Sequence, residues 1–239
     1  MIGAGAALGR HKMSDQQHVL VTGASGFIAM QTILGLLERG YRVRGTVRSL
    51  KEADAFRETL RPHSAMADMV ELVEADLSSD RGWAEAAHGC DFVQHIASPI
   101  PENLPKNHDE LIIPARDGTL RVLKAAKAAG AKRVVLTSSM AAIAYGWGDN
   151  RPEPLTEEHW SNSDNLQDNT AYTRSKTIAE RVAWDYVNGE GQGLELTTIN
   201  PGAVLGPVLS GDFSPSVQIV TQILSGKLPA MPKVAFPIA

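Results

Sequence analysis

The segment VLVTGASGFIA (residues 19–29) runs from a β-rich stretch into a helical pattern across two glycines. VLVTG (19–23) is apolar and rich in β-branched residues, and FIAMQTILGLLERG (27–40) has the apolar spacing of an amphipathic helix. Gly23 and Gly26 allow the backbone to reverse tightly and to approach a pyrophosphate, whose charge then meets the free N–H groups at the start of the helix. The segment therefore predicts a dinucleotide-binding turn in preference to a plain strand-to-helix connection.

The same alternation of strand and helix patterns continues along the chain. Five further β-rich runs lie at residues 41–49, 69–76, 91–98, 132–139 and 194–202. Amphipathic patterns separate them at residues 51–61, 78–89 and 112–130 and around Tyr172. The strands are almost continuously apolar, as expected where helices cover both faces of a sheet. The sequence predicts a single α/β domain over residues 18–239, a Rossmann doubly wound parallel sheet with helices on both faces.

Composition narrows the range of partners. The net charge of −4 argues against a nucleic-acid surface, which needs clustered and uncompensated Lys and Arg. The 43% hydrophobic and 21% charged residues are typical of a soluble globular protein, and no apolar run approaches the ~20 residues of a membrane span. The sequence thus predicts neither a nucleic-acid nor a membrane partner, contains no pattern that predicts a metal site, and leaves a homo-oligomer open.

The N-terminal segment and the single cysteine indicate the cellular location of the protein. Residues 1–17 are predicted to be a flexible tail, with Met13 as an alternative start, and their Arg and Lys follow the apolar stretch, the reverse of a secretory signal. Cys90 has no partner for an internal disulfide, which fits a reducing compartment, and is expected to be a buried strand residue in preference to a reactive thiol. We therefore expect a cytoplasmic protein.

The end of the second strand indicates which nucleotide binds. Cofactors without a 2′-phosphate favour an Asp or Glu about 20 residues after the glycine turn, but Val47 stands there and Arg48 follows it. A guanidinium at this position, with Arg44 nearby, can bind a phosphate through paired hydrogen bonds. Arg48 therefore predicts NADP(H), and the alternative is a solvated loop residue.

The third and fourth strands end in further candidate cofactor contacts. Asp76 and Leu77 stand where side chains can meet an adenine, although Asp76 could equally serve to start the next helix. His95 is expected to be a hydrogen-bonded strand residue and not a catalyst. Small residues after it leave room for a ribose and a pyrophosphate: Ile96, Ala97 and Ser98.

Three polar side chains are predicted to meet at the carboxyl edge of the sheet. Ser139 ends a strand, and Tyr172 precedes Lys176 by four residues, a spacing that places both on one face of a helix. Beside a nicotinamide, Ser139 would hold a carbonyl oxygen and Tyr172 would protonate it as negative charge develops. We expect the Lys176 ammonium and the cationic nicotinamide ring to bring the phenol pKa from about 10 toward neutrality. Lys176 would also bind the nicotinamide ribose. Taken singly, the three residues are better explained as a surface Tyr–Lys contact and a strand end. Found together, in this order and after a dinucleotide turn, they favour the catalytic interpretation.

An irregular segment separates two of these residues. Residues 145–169 are polar and too long for a simple connector, and they lie between Ser139 and Tyr172 in the sequence. They predict an active-site loop, with a solvated excursion as the alternative.

Together these motifs resemble the extended short-chain dehydrogenases/reductases, in the branch that holds dihydroflavonol 4-reductase, cinnamoyl-CoA reductase and yeast-type methylglyoxal or aldehyde reductases. The matching segments are VLVTGASGFIA, GTVRS, EADL, HIASP, VVLTSSMAA, LTEEHWS, YTRSKTIAERVAW and INPGAVLGP. The resemblance implies NADPH-dependent reduction of a small-molecule ketone or aldehyde, with the roles given above for Ser139, Tyr172 and Lys176.

The resemblance also implies a set of cofactor contacts. The implied residues are Gly23, Ala24, Ser25, Gly26, Phe27, Ile28, Arg48, Asp76, Leu77, Ile96, Ala97, Ser98, Tyr172, Lys176, Pro201, Gly202, Ala203 and Val204. The last four would lie near the carboxamide. Ser216 falls where such relatives have a serine near the cofactor phosphates, and the alternative is a plain helix cap.

One departure concerns the C-terminal part. Such relatives continue well beyond the point where this sequence stops, with strands and helices that form much of the substrate pocket. We expect residues 203–239 to begin an incomplete substrate-binding part, either in a fragment or in a cofactor domain with an exposed edge. Two other functions stay open: an NAD-dependent nucleotide-sugar epimerase or dehydratase, and a non-catalytic NAD(P)-binding module. Arg48 and ERVAW (180–184) favour the reductase.

Overall fold

The computed structural model describes residues 16–100, 105–211, 214–226 and 238–239. Most of the predicted tail, including the alternative start at Met13, lies outside these residues. No helix within the described ranges is long and apolar enough to cross a membrane.

Six parallel strands form the sheet. They are β1 (His18–Val21), β2 (Arg42–Val47), β3 (Glu71–Glu74), β4 (Phe92–His95), β5 (Arg133–Thr137) and β6 (Glu195–Ile199). Their order is β3-β2-β1-β4-β5-β6, so the direction of winding reverses between β1 and β4. In open α/β sheets a ligand crevice lies at this reversal, beyond the carboxyl ends of the strands. The predicted Rossmann fold is confirmed.

Helices cover the sheet from both sides. They are α1 (Phe27–Glu38), α2 (Ala53–Leu60), α3 (Trp83–Ala87), α4 (Asp109–Ala128) and α5 (Ala171–Asn188). A further helix, α6 (Pro215–Leu224), has no buried residue. Because successive strand residues point to opposite faces, Val19 of β1 packs in one core with Ile33 of α1, whereas Leu20 packs in the other with Val122 of α4. All four β1 residues are buried, which explains the continuous apolar run in the sequence.

Strand β6 forms one edge of the sheet within the described part of the chain. Leu196 belongs to the core under α4 and α5, whereas the Ile199 side chain on the opposite face is 50% exposed. Just beyond the strand, residues 203–205 pair with the C-terminal residues: Ala239 N donates to Ala203 O at 2.9 Å, and Leu205 N donates to Ala239 O at 3.1 Å.

Candidate cofactor and catalytic site

The turn after β1 requires glycine at position 23. Gly23 has φ +65°, in the left-handed region, and a Cβ added to it would lie 3.1 Å from the Ala97 Cβ. Its N–H donates to Thr46 Oγ1 at 3.0 Å, and Ala24 N donates to Thr46 O at 2.8 Å. The turn is therefore held against β2 on one side and against the residues after β4 on the other.

The start of α1 presents unpaired N–H groups beside this turn. The first hydrogen bond of the helix runs from Met30 N to Gly26 O, and no side chain caps the helix. The N–H groups of Phe27, Ile28 and Ala29 therefore have no helical acceptor and are suited to bind an anion. Ala29, at the position of a third small residue, is fully buried. The predicted turn residues thus lie together: Gly23, Ala24, Ser25, Gly26, Phe27 and Ile28.

A threonine that the sequence did not single out joins the carboxyl ends of β1 and β4. Thr22 Oγ1 accepts hydrogen bonds from Ile96 N at 3.0 Å and Ala97 N at 2.9 Å, and it lies 2.9 Å from His95 Nδ1. Burial lowers the pKa of His95 to about 3, with a smaller effect from Lys176. His95 is thus the hydrogen-bonded strand residue that the sequence predicted.

Arg48 lies exposed next to Asp76. It makes no hydrogen bond or ion pair with any residue that the structure describes. The pKa of Asp76 is lowered, chiefly by hydrogen bonds from Ser78 and also by the charge of Arg48. Asp76 accepts from Ser78 N at 2.7 Å and so shapes the turn after β3. It does not start α3, whose N-cap is Gly82, so the alternative that it begins the next helix is wrong. Leu77 packs against Gly118 of α4.

Arg44, which is near Arg48 in the sequence, is already bound by other residues of the protein. Its guanidinium pairs with Glu71, the residue opposite it on β3, at 2.9 Å. It also donates to the carbonyl oxygens of Ala86 at 3.0 Å and His88 at 2.6 Å, around the end of α3. These partners hold Arg44 in the structure, so it is not a second free cation for a phosphate.

Local capping places the predicted catalytic pair. Ser139 follows β5 and accepts a hydrogen bond from Ala141 N at 3.1 Å, which starts a short 3-10 turn. Thr170 and Thr173 form a capping box that starts α5, so Tyr172 stands in its first turn. The Ser139 side chain lies beside the Tyr172 phenol and stabilises its phenolate form.

The pKa of Tyr172 differs from the expectation. Burial raises it, which outweighs the lowering by Ser139, and the nearby Tyr145 phenol adds to the rise. The Lys176 ammonium lies 5.9 Å from the centroid of the Tyr172 ring. The lowering expected from Lys176 is therefore not observed in the protein alone.

Lys176 is buried beside a carboxylate that the sequence analysis did not assign to the site. Burial lowers the pKa of Lys176 to about 8, and Glu180, one helical turn further along α5, opposes this effect. The Ser138 hydroxyl donates to Glu180 Oε2, and Asn200 Nδ2 donates to the same oxygen at 2.7 Å. A cavity of about 10 Å³ is lined in part by Ser98, Ser138, Lys176 and Glu180. The four-residue spacing from Lys176 was the available signal for Glu180.

The segment after β6, residues 201–207, runs from the turn after Ser139 to α1. Met140 N donates to Pro201 O at 3.0 Å, which joins this segment to the turn that Ser139 starts. Further along, Gln31 of α1 donates to Pro207 O at 3.0 Å, so the segment extends over the first half of α1. The predicted carboxamide contacts lie between these two attachments: Pro201, Gly202, Ala203 and Val204.

Ser216 is not a helix cap. Ser214 caps α6 by accepting a hydrogen bond from Val217 N at 3.3 Å, and Ser216 follows in the first turn. The capping alternative for Ser216 is therefore wrong.

Residues 145–169 are attached to the site at both ends. The fully buried Ser161 accepts from Tyr145 N and donates to Ala141 O, both at 2.8 Å. Asp168 accepts from Gly146 N at 2.6 Å and so closes the segment on itself. The segment thus begins at a phenol that acts on Tyr172 and ends at the cap of α5.

Both the sequence and the fold of this chain are similar to those of known proteins. The model of the NAD dependent epimerase/dehydratase family matches residues 19–234. Among curated proteins, cinnamoyl-CoA reductase CAD2 of Medicago truncatula is 36% identical over 211 residues, which cover 87% of this chain and 64% of the relative. Dihydroflavonol 4-reductase of Hordeum vulgare is 34% identical, and the match covers 87% of this chain and 59% of the relative.

Solved structures agree with these matches. The yeast methylglyoxal/isovaleraldehyde reductase, solved with NADPH, has a TM-score of 0.77 at 27% identity and covers 93% of this chain and 70% of its own. Vestitone reductase of Medicago sativa has a TM-score of 0.72 at 28% identity, and the match covers 87% of this chain and 63% of the reductase. This chain spans about three fifths of the length of the two curated relatives. The resemblance to extended short-chain dehydrogenases/reductases is confirmed, and the chain belongs to the NAD-dependent epimerase/dehydratase family.

Proposed function

We propose that this protein is an NADP(H)-dependent reductase that converts a ketone or aldehyde into an alcohol, with Tyr172 as the proton donor. The observation that carries the proposal is the meeting of Ser139, Tyr172 and Lys176 beyond the carboxyl end of β5, on the same edge of the sheet as the Gly23 turn. The reductases among its relatives, one of them solved with NADPH, support this choice.

The residues present fit a phosphorylated dinucleotide. A side chain at Gly23 would fill the space beside Ala97, and the free N–H groups at the start of α1 suit a pyrophosphate. Arg48 is the exposed guanidinium beside Asp76 that has no partner among the described residues, and it would bind the 2′-phosphate.

The bound cofactor would supply a hydride to the carbonyl carbon. The residues of this chain act on the oxygen, where negative charge develops as that bond forms. The Ser139 hydroxyl would hold this oxygen, and Tyr172 would donate its proton to it, so that the carbonyl becomes an alcohol and the phenol a phenolate. The raised pKa of Tyr172 keeps the phenol protonated before reaction, as a donor must be, and Lys176 places a positive charge near the phenolate.

Loss of NADPH absorbance with a panel of aldehydes and ketones tests this function. Tyr172→Phe is expected to lower kcat by about 10²- to 10⁴-fold and to change NADPH affinity far less, because the aromatic ring is kept and only the proton-donating hydroxyl is lost. Tyr186→Phe, on the same helix, is the matched control and is expected to keep full turnover.

Three outcomes would contradict the proposal. Equal turnover in the wild type and in Tyr172→Phe would exclude the phenol as the donor. Tightly bound NAD in the purified protein would favour an epimerase or dehydratase. NADPH binding without turnover of any substrate would favour a non-catalytic module.

A further inference from the structure

Glu180 is a buried carboxylate that joins three elements around the site. Its side chain is on α5, and the residue is 5% exposed. The Ser138 hydroxyl at the end of β5 donates to Oε2, as does Asn200 Nδ2, directly after β6, at 2.7 Å. Trp184 Nε1 donates to Oε1 at 3.4 Å. A carboxyl group that receives three donors is arranged as an ionised acceptor.

The same network reaches two of the three predicted catalytic residues: Ser139, which follows β5, and Lys176 on α5. Asn200 Nδ2 also donates to the carbonyl oxygen of Ser139 at 3.1 Å. Lys176 lies one turn before Glu180 on α5 and is 8% exposed, without an ion pair to any residue in the described ranges. Glu180 is therefore within range to act on Lys176 by charge and on Ser139 through Asn200.

The groups that face Lys176 come from several elements. His95 on β4 is neutral at physiological pH and supplies no counter-charge. Tyr172 on α5 is a protonated phenol, and Tyr145 from the following segment faces Tyr172. Glu180 is the group whose charge opposes the desolvation of the Lys176 ammonium.

We propose that Glu180 is a positioning residue of the site: its carboxylate keeps the buried Lys176 charged, and its hydrogen bonds align the backbone of Ser139 with the segment that begins at Pro201. The consequence for turnover rests on the proposed reductase function, whereas the effect on Lys176 does not. A buried ammonium without a nearby anion loses its proton more readily, since burial disfavours the charged form. Loss of the Glu180 charge would then remove the positive charge near Tyr172 at working pH.

The titration of Lys176 tests the proposal without any need for turnover. The rate at which acetic anhydride acetylates Lys176 is measured against pH by mass spectrometry, because only the neutral amine reacts. Glu180→Gln is expected to lower the midpoint by about one pH unit, as loss of a charge about one helical turn away predicts. Glu180→Asp keeps the charge and is expected to restore most of the shift, and the exposed Glu190→Gln is the control. An unchanged midpoint in Glu180→Gln would overturn the proposal.

A second measurement tests the proposal even if Glu180→Gln folds poorly. The free energy of unfolding is compared for Glu180→Gln, Lys176→Met and the double variant. The double variant is expected to be more stable than the sum of the single losses predicts, because neither charge is then left alone. If Glu180→Gln does not fold, the double variant is expected to regain folding. Additive losses, or a double variant that stays unfolded, would refute the coupling. Absence of NADPH oxidation in the wild type would refute the reductase function alone.

Discussion

The Thr22 hydroxyl and the ring nitrogen Nδ1 of His95 are hydrogen-bonded at 2.9 Å in the interior of the protein. Thr22 Oγ1 already accepts the N–H groups of Ile96 and Ala97, so its own proton is directed at Nδ1. The His95 ring is therefore a neutral acceptor. This contact fixes the ends of β1 and β4 relative to each other, beside the turn that is proposed to bind the cofactor.

The neutral state of His95 makes the stability of the protein depend on pH. Its pKa is about 3 in the folded protein and 6.5 in the unfolded chain, so the unfolded chain binds more protons below pH 6.5. The stabilisation is present above pH 6.5 and is lost as the pH falls toward 3. Between about pH 7.5 and pH 5 the free energy of unfolding is expected to fall by about 2 kcal/mol from this residue. Burial and Arg44 lower the pKa of His18, which adds to the same trend.

Urea unfolding at the two pH values measures this dependence. His95→Asn retains an acceptor for Thr22 but has no titrating ring, so its loss of stability on acidification is expected to be about 2 kcal/mol smaller. His63→Asn, at an exposed position, is the control and is expected to behave as the wild type. An identical pH dependence in His95→Asn and the wild type would falsify the assignment.

The Thr22–His95 contact also illustrates what the sequence could and could not predict. The strands, the glycine turn and the Tyr172–Lys176 spacing are local patterns, because strand and helix periodicities repeat within a few residues. Thr22 and His95 are 73 residues apart, and their contact depends on the strand order. Glu180 is near Lys176 in the sequence, but two of its hydrogen-bond donors, Ser138 and Asn200, directly follow β5 and β6. Such partners follow only from the assembled sheet.

Two side chains near the site have surroundings that sequence spacing did not reveal. Arg44 is near Arg48 in the sequence, but the register of β2 on β3 sets Arg44 opposite Glu71. For Tyr172, the spacing indicated the charge of Lys176 but not the depth of burial, which dominates its pKa. The spacing of Tyr172 and Lys176 thus identified the neighbouring charge, but not the loss of solvation that dominates the pKa of the phenol.

Substitution of Gly23 is expected to affect both stability and binding. Gly23→Ala places a Cβ in a left-handed backbone conformation, which costs about 1–2 kcal/mol, and sets it 3.1 Å from the Ala97 Cβ. Gly130→Ala is the matched control, since Gly130 has φ +76° with nothing within 4 Å of an added Cβ. Thermal unfolding should show a loss in both variants. NADPH titration should show at least about tenfold weaker binding in Gly23→Ala alone. Equal binding in the two variants would remove the turn from the cofactor site.

Ser161 is expected to hold the segment 145–169 in place. Ser161→Ala leaves the Tyr145 N–H without its buried acceptor and the Ala141 carbonyl with only the longer hydrogen bond from Thr177 at 3.4 Å. The free energy of unfolding is expected to fall by about 1–3 kcal/mol. Hydrogen exchange at the Tyr145 amide should become faster. Ser163→Ala, two residues further in the same segment, is expected to leave that exchange rate unchanged. Exchange that is equally slow in both variants would show that other contacts hold the segment.

Arg48 is expected to decide which dinucleotide binds. Arg48→Gln removes the guanidinium proposed for the 2′-phosphate, and a hydrogen bond to a charged group contributes about 1.5–3 kcal/mol, so NADPH affinity should fall by about ten- to hundredfold. NADH lacks that phosphate, and its affinity should stay the same. Quenching of tryptophan fluorescence by each nucleotide measures both values. Arg39→Gln, at the opposite end of α1 from the glycine turn, is the control because the Arg39 guanidinium donates only to Gly35 O among the described residues. Parallel losses for NADPH and NADH would mean that Arg48 supports the local structure and does not read the phosphate.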